Sequence, residues 1–227
     1  PFRIALGREP GEADRQTSFA AGLFAGPVRI LSDGAAACVQ VDFTPLGAFR
    51  IFGPAVAELA NRMVEPDLIL GAEGRRLRER LGATEDWDGR FDLMESFVAA
   101  RAAHAPSPAV SFAWRRLELT GGAARIGALA AEIGWSRQRL HARFRAETGL
   151  GPKSVARMMR FHRACRLAGR PAADGWAGIA AESGYADQAH LAREFLALAG
   201  ETPTAWARRV AGLDDRLKPM ADVPEAW

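Results

Sequence analysis

Two short stretches set hydrogen-bonding side chains at helical spacing: Ser136, Arg137, Gln138, His141 and Arg145 in one, and Asp187, Gln188, His190 and Arg193 in the other. Their chemistry is recognition rather than bond-making. Arg, Gln and His carry donors and acceptors that match base edges in a DNA major groove. Ala142, Ala189, Ala192 and Leu196 complete the two outward faces, where short residues let a helix sit deep or meet a thymine methyl. On one isolated helix such residues are more often plain solvated surface. What tips the reading is that they occur twice, behind matching turns, in a basic segment. From Ala123 to Val210 there are 14 Arg plus Lys against 7 Asp plus Glu, whereas residues 1–122 hold 14 against 16 and residues 211–227 hold 2 against 4. The excess behind the net charge of +3 therefore lies in one segment, as a phosphate-binding module requires.

Other chemistries lack their residues. Cys38 and Cys165 stand far apart in apolar surroundings and read as two buried, reduced thiols. Cys38 sits amid Ala36, Ala37 and Val39, and Cys165 lies mid-helix, so neither fits an activated nucleophile. His104, His141, His162 and His190 are scattered without metal-ligand spacing, so no metal site is expected. No Ser-His-Asp set, paired carboxylates or glycine-rich phosphate loop stands out, so no catalytic residue and no cofactor are expected. No apolar run approaches the roughly 20 residues of a membrane helix, and no signal peptide opens the chain. The expectation is no membrane partner and a cytoplasmic, nucleoid-associated location. With 48% hydrophobic and 25% charged residues, the 227-residue chain reads as globular, with room for two modest domains.

The elements that must position those side chains form an internal repeat. Leu129-Ala130-Ala131-Glu132 precedes Gly134-Trp135, and fifty residues later Ile179-Ala180-Ala181-Glu182 precedes Gly184-Tyr185. The offset then becomes 51, matching Leu140 to Leu191, Phe144 to Phe195, Gly149 to Gly200 and Pro152 to Pro203. Each copy reads as helix, tight turn, helix. The alanine-rich first helix ends at a glycine, a large ring follows to fill the space between the helices, and Ser136 or Asp187 caps the second helix. Leu140 with Phe144, and Leu191 with Phe195, recur at i and i+4 as the inward stripe.

Ala124 to Arg208 resembles the DNA-binding domain of the AraC/XylS family of bacterial transcription regulators. The resemblance rests on both repeat copies, on the corners Gly149-Leu150-Gly151-Pro152 and Gly200-Glu201-Thr202-Pro203, and on Arg160-Phe161-His162-Arg163-Ala164-Cys165-Arg166-Leu167, which is similar to the family's linker helix. It implies promoter binding by two recognition helices. A stiff linker from Lys153 to Leu167 would hold them in successive major-groove segments, about 34 Å apart. Val155, Met158, Met159, Cys165 and Leu167 would face the two small domains, and Arg157, Arg160, Arg163 and Arg166 would touch phosphate or pair internally. Ala189 and Ala192 stand where many members carry larger polar groups, so the first unit is expected to carry more specificity than the second.

The N-terminal half is read from pattern alone. Val28–Leu31, Cys38–Phe43 and Phe49–Phe52 alternate or cluster β-formers and predict a short antiparallel sheet. Helices are expected over Ala55–Arg62, Ala72–Arg80, Phe91–Ala102 and Val110–Leu119, and hinges at Ala105-Pro106-Ser107-Pro108 and Thr120-Gly121-Gly122. Loosely, this half resembles the regulatory half of AraC-type proteins, a β-barrel followed by pairing helices, though the strands are too few for a whole barrel. The helix with Trp114 would serve dimerisation or bury itself. The expected fold is α+β: a shortened β-sheet with helices in a regulatory and dimerisation domain (1–120), an all-α domain of two helix-turn-helix units (121–210), and a tail (211–227). The function read is sequence-specific transcription regulation on double-stranded DNA, with a homodimer, a small-molecule effector and RNA polymerase as further partners. Two alternatives remain: a DNA-repair or other enzyme fused to such a module, and a non-DNA interaction module with degenerate units.

Overall fold

The computed structural model describes residues 2–32, 34, 37–169 and 175–212. The tail read from the sequence lies outside these from residue 213 onward. The fold is α+β, about 63% helical with a small antiparallel sheet. Strand β1 (Phe2–Leu6) pairs antiparallel with β2 (Arg15–Gln16), Phe2 opposite Gln16, and β4 (Val28–Leu31) completes the order β2-β1-β4. A separate ladder joins β3 (Ala20–Ala21) to β5 (Met63–Val64). Of the three expected strands only Val28–Leu31 forms. Cys38–Phe43 is irregular, because alternation makes a strand only where a face finds a core and the backbone finds a ladder. Here Val41 is exposed and Gln40 Nε2 donates to the Asp42 carboxylate at 3.0 Å. Cys38 is exposed too, which corrects the expectation of a buried thiol.

Phe49–Phe52 is helical rather than extended. It closes α1 (Pro45–Phe52), whose cap Thr44 accepts a hydrogen bond from the Gly47 amide at 3.0 Å, with Pro45 at the first position. Cap and proline together are a helix start. The helix expected over Ala55–Arg62 shrinks to α2 (Val56–Leu59), entered through a 3-10 turn and followed by Asn61 at φ 57°. Of the other expected helices, Ala72–Arg80 and Val110–Leu119 lie inside α3 (Asp67–Ala83) and α5 (Pro108–Leu119), and Phe91–Ala102 falls in α4 (Trp87–Arg101) except for Ala102, which caps it. Trp114 on α5 is buried.

After α5 come α6 (Ile126–Ile133), α7 (Arg137–Thr148), α8 (Pro152–Ala168), α9 (Gly175–Glu182), α10 (Gln188–Ala199) and α11 (Pro203–Ala211). Two compact units partition the chain. One comprises Pro1–Phe24, Arg29–Val110 and Ala142–Leu150, and the other Ala25–Val28, Ser111–His141 and Gly151–Trp227. In the first, Ile4, Ala5, Phe49, Ile51, Val56, Leu59 and Leu77 are buried. In the second, Ala164, Ile179, Ala180, Tyr185, Leu191 and Phe195 form a core closed by Phe161, Trp176 and Trp206. The Phe195 ring meets Phe161 at 4.8 Å and Trp206 at 5.6 Å, both edge to face.

Both expected hinges carry packed or hydrogen-bonded groups. Gly122 sits at φ +81°, and a Cβ there would fall 2.2 Å from the Ala156 carbonyl oxygen, so chain direction and packing are fixed together. Its amide donates to Leu117 O at 2.8 Å, and its carbonyl accepts from Arg160 Nη1 at 3.0 Å. In the other, the Ser107 amide donates to Glu147 Oε2 at 2.8 Å.

Candidate nucleic-acid interface

In the first repeat copy, α6 ends at Gly134, whose φ of +74° suits a glycine and turns the chain toward α7. Ser136 caps α7: its Oγ accepts from the Arg139 amide at 3.1 Å, and its carbonyl from Leu140 at 3.0 Å. Leu140 and Phe144 are fully buried, so the opposite residues Arg137, Gln138, His141, Ala142 and Arg145 are exposed. Two of them are steered by glycines. A Cβ on Gly127 would fall 2.6 Å from the Arg137 guanidinium, and one on Gly151 would fall 2.4 Å from Cε1 of His141. The missing side chains give Arg137 a seat on α6 and His141 a seat on the corner before α8. Trp135 stays half-buried and carries the Arg139 guanidinium 4.4 Å over its ring. At the far end Glu147, 1% exposed, accepts from the Ser107 amide and hydroxyl and pairs with Arg143 at 2.5 Å.

The second copy repeats the turn with different consequences. Gly184 takes φ +78°, and Tyr185, unlike Trp135, is buried in the core. Asp187 caps α10 by accepting from the His190 amide at 2.6 Å. Gln188, Ala189, Arg193 and Leu196 are exposed, and Ala192 is half-buried. His190 belongs elsewhere. Its Nε2 lies 3.4 Å from Glu194 Oε1, its Nδ1 accepts from the Ala186 amide at 3.5 Å, and its ring stands edge-on to Tyr185. Ser136 and Asp187 spend their side-chain oxygens on helix amides. The residues brought to an outward face are therefore Arg137, Gln138, His141 and Arg145 on α7, and Gln188 and Arg193 on α10.

Helix α8 resolves what its arginines do. Arg157 Nε donates to Glu194 Oε1 at 3.1 Å, and Arg160 Nη2 to both Glu194 oxygens at 3.1 and 3.2 Å. These two take the internal-pairing alternative. Arg163 lies along Gly121, and Arg166 is exposed. Val155 and Met159 are buried, while Met158, Cys165 and Leu167 are half-buried. Burial pushes the Cys165 thiol up to about 12, which keeps it protonated and inert. Burial first, and the Glu194 charge second, also raise the Tyr185 hydroxyl.

Glu194 is the residue that sequence reasoning missed. The available signal was a carboxylate within the second helix of the repeat, with two arginines three residues apart on the linker helix. Among the described residues no group of three or more His, Cys, Asp or Glu could hold a metal ion, and no helix is long and apolar enough to cross a membrane.

Residues 129–209 match a family model described as a helix-turn-helix domain. The match runs from α6 to α11, and supports a DNA-binding domain of AraC type in this part of the chain. No curated protein and no solved structure matched the chain.

Proposed function

We propose that the protein is a transcription regulator that binds double-stranded promoter DNA sequence-specifically, with α7 and α10 as recognition helices in successive major-groove segments. The observation that carries this reading is the doubled unit: two capped helices, each with a buried i, i+4 stripe and an outward face free of carboxylates. It lies in the segment with 14 basic against 7 acidic residues. No catalytic step and no cofactor belong to this function, and its place is the bacterial cytoplasm, on the nucleoid. Two copies pair through the helices between Ala72 and Leu119, and the N-terminal half answers to an effector or to RNA polymerase. Exposed Trp87 and Phe91 on α4 and Leu68 on α3 support pairing.

Selection of bound sequences from a random duplex pool at fixed salt tests the reading. A consensus is expected, with affinity falling steeply as salt rises because arginines displace condensed counterions. Affinity unchanged between low and physiological salt would sink it. On the selected duplex, Gln138→Ala or His141→Ala costs about 1–3 kcal/mol and relaxes choice at one or two base pairs. A larger loss of discrimination from Arg193→Ala would reverse the ranking of the two units.

A further inference from the structure

The two recognition helices differ in the chemistry they offer, position by position. With the offset of 51, Arg137, Gln138, His141, Ala142 and Arg145 on α7 correspond to Gln188, Ala189, Ala192, Arg193 and Leu196 on α10. At three of these five positions a hydrogen-bonding side chain on α7 is replaced by an apolar one on α10. The three replacements, Ala189, Ala192 and Leu196, are not scattered. They fall at i, i+3 and i+7 and so form one stripe along the helix, with Ala189 and Leu196 exposed and Ala192 half-buried at the edge of the face that buries Leu191, Phe195 and Leu198. Leu196 is 52% exposed.

A single exposed leucine needs no explanation. A stripe on the face that the sister helix fills with donors does. Glu194 is the one carboxylate within α10, and it is held by Arg157 and Arg160 of α8, away from this stripe. The exposed polar residues beside it, Gln188 and Arg193, are both donors. Such a face suits the major groove, where the only apolar group is the 5-methyl of thymine. Short Ala189 and Ala192 bring the helix close, and Leu196 reaches further.

We infer that α10 reads its half of the site by apolar contact with thymine methyl groups, with Leu196 as the specificity-determining residue, whereas α7 reads by hydrogen bonding. This rests on the DNA-binding reading above and names the ligand chemistry of its second half.

The test uses the full chain and a duplex from the random-pool selection, in which each thymine is replaced in turn by deoxyuridine. That change deletes only the methyl. Burying a methyl-sized group is worth about fourfold in affinity. Thymines in one half of the site should each show a loss of about that size, and those facing α7 should show little. Leu196→Ala should erase the sensitivity at one or two of those thymines, and Leu196→Met should keep it. Ile30→Ala, which removes an exposed isoleucine from β4, should change none of it. A selected consensus indifferent to every methyl deletion, or a sensitivity that Leu196→Ala leaves intact, overturns this inference alone. Failure to select any consensus overturns the DNA-binding reading with it.

Discussion

At the scale of single residues, function depends on what is missing as much as on what is present. Gly151 has φ −69° and ψ 155°, a backbone any residue adopts, so its small size and not its freedom matters. The space its Cβ would take holds the His141 ring. Gly151→Ala should therefore leave stability within about 1 kcal/mol of the parent, yet relax base preference as His141→Ala does. Urea melting and competition binding measure the two effects. If discrimination survives while stability falls, the glycine serves the fold and not the ring. The inward Leu140, Phe144, Leu191 and Phe195 were legible in the sequence, because helical spacing reports which face is buried. The separate fates of His141 and His190 were not. His190 owes its position to Tyr185 and Glu194, and the arginines that hold Glu194 come from another helix, which no local pattern reveals.

Elements succeed or fail by their ends and their partners. Thr44-Pro45-Leu46-Gly47 looks like a break because proline and glycine punctuate chains, but a threonine followed by proline also opens a helix, and α1 takes that option. The run Cys38–Phe43 has the alternation of a strand without a ladder to join, so the pattern alone misleads. The repeat fared better, since turn, cap and stripe agreed twice over. For α10 the ties differ in worth. Asp187→Ala removes a cap and should cost about 1 kcal/mol. Glu194→Gln removes the charge that Arg157 and Arg160 share, in a pocket where Glu194 is 12% exposed, and should cost roughly 1–3 kcal/mol. Denaturant midpoints with an unchanged slope would measure both. A Glu194→Gln variant as stable as the parent would mean that the pairs are ornamental.

At the scale of the whole molecule, the proposed pairing of copies rests on the surface of α4. Trp87 and Phe91 pack against each other at 6.2 Å while exposed, with Arg90 over the Trp87 ring, so α4 offers a ready apolar patch. Pairing there would raise occupancy through effective concentration without a new base contact. Sedimentation at micromolar concentration is expected to give a dimer, and Phe91→Ala combined with Leu68→Ala a monomer with weakened DNA binding. A parent chain that stays monomeric with and without DNA removes pairing from the N-terminal half and leaves a small-molecule ligand as its role.

The bond from Ser107 to Glu147 bears on how such proteins are shuffled. The repeat begins after Gly122, which invites a recombination joint at the glycines. A crossover there would separate Glu147 from the amide and hydroxyl that satisfy Oε2 of its buried carboxylate, at roughly 1–3 kcal/mol. A crossover upstream of Ser107 carries donor and acceptor together. Viable chimeras that graft this helix-turn-helix segment onto a foreign N-terminal half should therefore inherit α5 and the Ser107 turn with it.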